Sequence, residues 1–367
     1  MTLRCGIVGL PNAGKSTLFN ALTEAGIAAE NYPFCTIEPN SGVVSVPDAR
    51  LAALDEIVHP AQVVPASVEF DDIAGLVRGA SKGEGLGNRF LAQIRETQAI
   101  LHVVRCFAES DVTHVDGMDG ALDPLRDVET VETELGLADI ETVERRLDRA
   151  KRAAKAGRKE DKAEAAFFES LLADLSDGRP ARSFEVPTEM VKAFRESFLL
   201  TAKPVLFVAN VDETSLVEGD EHARVIEEHA ERTGAGAIRV CAKIEAELSE
   251  LDTEEKGAFL GDLGLVEPGL NRLIRAAYAL LDLITFFTAT AKEVRAWTVR
   301  RGAPAPEAAG VVHSDFERTF IRAEVIPFDD YVACAGEAGA RAAGKMRVEG
   351  KDYAVQDGDV VYFRVGA

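Results

Sequence analysis

Residues 9–17 read Gly-Leu-Pro-Asn-Ala-Gly-Lys-Ser-Thr and fit the spacing GxxxxGK[ST]. Before them Leu3-Arg-Cys-Gly-Ile-Val-Gly9 is a short apolar strand, and after them Ser16–Ala25 has a helical pattern. Strand, glycine-rich turn and helix are the context this motif requires. The glycines let successive backbone N–H groups turn inward around phosphates, and the helix N-terminus adds its dipole. Lys15 reaches the β/γ-phosphates and the Ser16 hydroxyl ligates Mg²⁺. A chance match in a chain this long is on the order of one or two per cent. The feature therefore commits the N-terminal part to an α/β fold with a parallel-type sheet.

Further β-rich runs support that reading: Gly42–Val46, Ala66–Phe70, Ile100–Phe107, Pro204–Asn210 and Ala237–Ala242, with a helical pattern at Gly87–Thr97. Strands alternating with helices at this spacing form mostly parallel sheets with right-handed crossovers. From Leu125 to Phe198 the strand signals stop. Val128, Val131, Leu135, Ile140, Val143 and Leu147 recur at three- and four-residue spacing. With a turn at Ala156-Gly157-Arg158-Lys159 this predicts an inserted helical hairpin, an antiparallel coiled coil. After a helix at Leu270–Leu283 the runs Thr285–Thr290, Glu293–Arg300, Lys345–Glu349 and Val360–Val365 predict a small mixed α+β domain. The expected division is 1–124 with 199–282, then 125–198, then 283–367; a chain of 367 residues exceeds what a single core usually supports.

Two more elements suit a phosphate switch. Val68-Glu-Phe-Asp-Asp72-Ile-Ala-Gly75 is a strand running into DxxG. Asp72 would hold Mg²⁺ through water and the Gly75 amide would meet the γ-phosphate. Between the two motifs Thr36 is placed to complete the Mg²⁺ shell, the alternative being a plain loop threonine. Leu76 follows Gly75, where related switches place a water-orienting glutamine. His114 is the candidate for that role, weighed against a solvated loop histidine; His102 lies inside an apolar strand and reads as core. Asn12 is placed either to help ligate K⁺ or only to cap the loop. The strand Val205–Ala209 ends in Asn210-Val211-Asp212-Glu213, an NxxE tetrapeptide where guanine readers have NKxD. Cys241-Ala242-Lys243 fits a second base-lining loop.

Composition narrows the partners. Lys and Arg total 41 against 62 Asp and Glu, a net charge of −21, which argues against general nucleic-acid binding and against DNA. Residues 283–367 are near neutral, with 11 basic and 12 acidic side chains. Positive charge gathers locally at Arg145, Arg146, Arg149, Lys151, Arg152, Lys155, Arg158, Lys159 and Lys162 around the hairpin turn, as rRNA phosphates would require or as a solvated face would show. Five scattered cysteines with no CxxC pair suit a reducing cytoplasm. No apolar run reaches membrane-span length, and no leader peptide is expected before the first strand.

GLPNAGKST, the block DIAGLVRGASKGEGLGNRF, the tetrapeptide NVDE, the helical insert and the C-terminal segment together resemble the YchF or Obg-like ATPase family, over essentially the whole chain. The resemblance implies a P-loop NTPase with a C-terminal TGS domain of β-grasp fold at Ile284–Val365. It also implies a cytoplasmic location, a preference for ATP over GTP and association with ribosomes. By position, Asn12, Ala13, Gly14, Lys15, Ser16 and Thr17 would cradle the phosphates, and Ser16 and Thr36 would bind Mg²⁺. Asn210 and the Val211 backbone would meet adenine, with Glu213, Cys241 and Ala242 lining the base. The chemistry expected is slow ATP hydrolysis, with Lys15 and His114 in the catalytic set. A GTPase, a kinase, and a ribosome- or RNA-binding module merely gated by nucleotide are the competing readings.

Overall fold

The computed structural model describes residues 4–25, 40–73, 86–108 and 122–366. Its strands are Arg4–Val8 (β1), Ser41–Ser45 (β2), Val63–Val64 (β3), Ser67–Asp72 (β4), Ala99–Arg105 (β5), Val205–Asn210 (β6), Gly236–Val240 (β7), Leu283–Ala289 (β8), Val294–Arg300 (β9), Phe320–Pro327 (β10), Arg347–Glu349 (β11) and Asp359–Val365 (β12). The first helices are Lys15–Ala25 (α1), Arg50–Val58 (α2), Leu86–Glu96 (α3), Pro124–Ala154 (α4) and Lys159–Ser176 (α5). Two compact units result: Met1–Ala25 with Ile37–Gly42 and Glu69–Leu270, and Gly26–Thr36 with Val43–Val68 and Asn271–Ala367. Residues 43–68 thus group with the C-terminal unit, although sequence order alone places them in the first domain.

The first sheet has the order β2-β4-β1-β5-β6-β7. β1 runs parallel to both β4 and β5, β5 to β6, and β6 to β7. β5 and β6 are buried at every residue, the signature of a parallel sheet covered on both faces. The chain leaves β1 to one side for β4 and crosses to the other for β5. That reversal opens a crevice at the C-terminal ends of the strands, where α/β sheets bind their ligands. The phosphate loop lies there.

The insertion is a helical hairpin. Asp123 caps α4 by accepting the Arg126 N–H at 3.1 Å, and Pro124 occupies the first helical position, where no N–H is needed. Gly157 supplies the left-handed turn, with φ of 85°. Val143, Leu147 and Ala150 pack against Phe168, Leu171 and Leu175, stripes of helical spacing that seal the pair. A buried knot ties the hairpin root: Asp139 accepts the Leu200 and Thr201 N–H groups, each at 2.8 Å, and the Thr201 hydroxyl at 2.7 Å. That hydroxyl in turn accepts the Ala181 N–H at 2.9 Å. Burial pushes the Asp139 carboxyl above its ordinary range, opposed by the Thr201 and Leu200 hydrogen bonds. Asp139→Ala would strand these donors, so we expect a loss of about 3–5 kcal/mol in urea unfolding; a loss within experimental error of zero would show that the knot is not stabilising.

The second unit is built on the sheet β11-β10-β12-β8-β9-β3. The β8–β9 hairpin is antiparallel, the helix Ala305–Val312 follows, and β12 returns parallel to β8, a β-grasp arrangement. β10, absent from the sequence expectations, pairs antiparallel with both β11 and β12. Its Glu324 sits among apolar neighbours yet is buried, because Arg322, Arg341 and Arg364 reach its carboxylate at 3.2, 3.5 and 2.8 Å. Those arginines, led by Arg364, hold its carboxyl below the ordinary range. Among the described residues no helix is long and apolar enough to cross a membrane.

Candidate nucleotide site

The loop between β1 and α1 is held from three directions. A Cβ at Gly9 would lie 2.3 Å from the Val103 carbonyl oxygen of β5, so only glycine lets the loop leave the sheet so closely. Asn12 and Gly14 both adopt left-handed backbone, with φ of 63° and 87°. Lys15 opens α1 and is buried, its Nζ donating to the Leu10 carbonyl at 2.8 Å across the turn. Burial lowers its pKa, and the nearby Asp72 carboxylate works against that shift. Ser16 is exposed, and its hydroxyl donates to Asp72 Oδ2 at 3.1 Å. The other oxygen, Asp72 Oδ1, is buried and, among the described residues, has no hydrogen-bond partner. An orphaned carboxylate oxygen beside a hydroxyl is a donor set suited to a hard cation.

The third hold is Asn210, at the end of β6. Its Nδ2 donates to the Ala13 carbonyl at 3.0 Å and its Oδ1 accepts the Ala242 N–H at 3.0 Å. One amide therefore joins the phosphate loop to the start of the helix Ala242–Glu250. Sequence reading gave Asn210 only a base contact; this joining role was missed. The helix also begins earlier than expected, since β7 ends at Val240 and Cys241 is already the helix cap. The Cys241 side chain is buried, and burial pushes its thiol up. Lys243 is exposed on the first turn.

The base tetrapeptide divides. Val211 is only 2 % exposed and packs into the core, and its N–H donates to the Val240 carbonyl at 2.9 Å. Its carbonyl is the part of its backbone left to meet a base. Asp212 folds back, accepting the Thr214 hydroxyl and the Ser215 N–H at 2.8 and 2.9 Å. Glu213 is exposed. His102 is in the core as expected, against Phe207, with burial pushing its pKa down to about 3. Thr36, Gly75 and His114 lie outside the described residues. The structure thus brings together Asn12, Ala13, Gly14, Lys15, Ser16, Thr17, Asp72, Asn210 and Ala242.

A family model described as "50S ribosome-binding GTPase" matches residues 4–137. A second, YchF-GTPase_C, described as "Protein of unknown function (DUF933)", matches residues 283–366. A Haemophilus influenzae protein named "Ribosome-binding ATPase YchF" is 57% identical over 364 residues, covering 99% of each chain. The chain belongs to the YchF family. A Bacillus subtilis YchF of the same name is 53% identical over 366 residues, again covering 99% of each chain. The solved Schizosaccharomyces pombe YchF GTPase matches with a TM-score of 0.89 at 36% identity, covering 99% of this chain and 98% of that one. The names of these YchF relatives thus divide between ATPase and GTPase, and the fold of this chain is the P-loop fold with its inserted hairpin and C-terminal β-grasp unit.

Proposed function

We propose that the chain is an ATP-binding and ATP-hydrolysing switch protein that works in the cytoplasm with the ribosome. The observation that carries the nucleotide part is the joint placement of Lys15, Ser16 and the half-unpartnered Asp72 at one loop, with Asn210 locking that loop to the base side. The family names in bacterial relatives, "Ribosome-binding ATPase YchF", support the rest.

Ser16 and Asp72 would hold Mg²⁺, with Thr36 completing its shell. When bound, the metal neutralises charge on the transferring phosphoryl group. Lys15 would release the Leu10 carbonyl and turn to the phosphates, while the α1 N-terminal amides cradle them. Its burial favours that exchange, since a desolvated ammonium gains most from an anion. At the base the Val211 carbonyl accepts from the adenine amino group, whereas guanine would set its own carbonyl oxygen against it. Exposed Glu213 does not offer guanine the paired acceptors of an NKxD aspartate. His114 is assigned to the attacking water because Leu76 has no polar group. Asn12 is assigned to the loop, with K⁺ as a further cation there. The division 1–124 with 199–282, 125–198 and 283–367, the last read as a TGS domain, belongs to the same proposal. Mg²⁺-dependent ATP hydrolysis by the full chain, raised by ribosomes, is the result expected; no hydrolysis of ATP in either condition would refute the reading. The GTPase alternative rests on the name of the yeast structure and on the GTPase family model over residues 4–137.

The ribosome part rests on the hairpin tip. Lys151 is paired with Glu169, Arg158 with Asp161 and Arg145 with Glu141. Arg146 lies over the Phe168 ring and donates to the Glu196 carbonyl. Arg149, Arg152 and Lys155 are exposed, and among the described residues they form no ion pair. Unpaired cations along the last two turns of α4 and its cap suit a polyanion better than a self-satisfied helical face. Changing all three to Glu should weaken ribosome binding by about 100-fold at near-physiological salt and flatten its salt dependence. Co-sedimentation across a salt series measures this; an unaltered profile would remove the hairpin from the interface.

A further inference from the structure

The first unit contains a cleft of about 300 Å³ that the nucleotide reading leaves unused. It lies on one face of β5 and β6, lined by the cross-strand partners Ile100 and Val205 and by His102. Ile100 and Val205 are at the N-terminal ends of their strands, whereas the phosphate loop leaves a C-terminal end. α4 closes it with Leu135 and Ile140, and Arg182 enters from the turn after α5.

Two features mark it as more than a packing gap. Arg182 Nη2 donates to Glu132 at 2.8 Å, so its charge is matched on the cleft wall, while its Nε is sealed from the cleft and, among the described residues, has no hydrogen-bond partner. His102 is 3 % exposed and, among the described residues, no hydrogen bond reaches its imidazole. A polar ring without a partner on an apolar wall is uncommon and costly, and the imidazole leaves this cleft short of a complementary group. The second feature is Gly136, in the interior of α4. Glycine there costs about 1 kcal/mol against alanine, and a Cβ on it would meet nothing within 4 Å. No close approach demands glycine, so its effect is to leave this wall of the cleft open.

Charge and donor chemistry select the occupant. Glu132 already matches Arg182, and Arg179 is engaged by Asp174 and Asp177. Glu129, on the rim, adds a carboxylate, so an anionic ligand would face net repulsion. With its pKa pushed down to about 3, His102 is neutral and offers one N–H and one lone pair. We propose that the cleft is a second ligand site for a small uncharged carboxamide with an apolar body. The amide oxygen accepts from the His102 N–H, the amide N–H₂ donates toward Glu129, and the body packs on Ile100, Leu135, Ile140 and Val205.

The test uses the full chain labelled with ¹⁵N-histidine and benzamide as the probe, with benzoate as the charged analogue. Millimolar benzamide should shift the His102 imidazole resonances saturably, and benzoate should bind at least tenfold more weakly. Gly136→Phe and the smaller Gly136→Leu, which fill the open wall, should weaken benzamide by tenfold or more while leaving ATP affinity within twofold of the parent. Absence of a saturable His102 shift would overturn the site. Equal binding of benzoate would overturn the uncharged class, and unchanged benzamide affinity in both Gly136 variants would overturn the location.

Discussion

Gly14→Ala is expected to weaken ATP binding by roughly 30-fold to a few thousandfold. The residue has φ of 87°, and the new Cβ would sit 2.2 Å from Asn210 Nδ2. Left-handed backbone costs an alanine about 1–2 kcal/mol. Displacing the Asn210 amide strands the Ala13 carbonyl and the Ala242 N–H, a further cost of about 1–3 kcal/mol. At 1.4 kcal/mol per tenfold these sum to the stated range. Calorimetry with ATP and Mg²⁺ reads the effect directly. An affinity within threefold of the parent would mean that the Asn210 bridge does not organise the loop.

Asp72→Asn should leave nucleotide binding measurable but reduce single-turnover hydrolysis by about 100-fold or more, the scale seen when one preorganised charge contact is lost. The amide keeps the size of the side chain and an acceptor for the Ser16 hydroxyl, which lies 3.1 Å from Oδ2. It removes the negative charge on which the proposed cation contact of the buried Oδ1 depends. The defect should therefore be accompanied by a weaker dependence of ATP affinity on Mg²⁺. Quench-flow over a Mg²⁺ series separates the two effects, and parental rates at every Mg²⁺ level would exclude Asp72 from the metal site.

Legibility followed the locality of each interaction. The phosphate loop was readable because its parts are consecutive: glycines, lysine and serine act within one turn. The parallel sheet was readable because buried parallel strands are continuous apolar runs, as in β5 and β6. The hairpin announced itself through the three- and four-residue spacing that includes Val143 and Leu147, which pack against α5. What stayed hidden depends on distant partners. Asn210 and Ala13 are 197 positions apart, so nothing in the tetrapeptide shows that its asparagine props up the loop. β10 was obscured by Arg322 and Glu324, charges that become tolerable in a strand only once Arg341 and Arg364 arrive from elsewhere. Val211 was read as a lysine removed from the base, whereas the fold uses it as a core residue with its N–H engaged in the sheet. A Val211→Lys, Glu213→Asp double variant would accordingly bury a charge at a position 2 % exposed, and reduced stability rather than restored guanine reading is the expected outcome.

Adenine reading by the segment Asn210–Glu213 is the property that decides between the two nucleotides. The direct measurement is a pair of calorimetric titrations of the full chain with ATP and with GTP in the same Mg²⁺ buffer. A base edge offering the Val211 carbonyl, with Glu213 turned to solvent, predicts ATP bound at least as tightly as GTP, and probes that lack the 6-amino group bound more weakly. Tighter binding of GTP than ATP would contradict it.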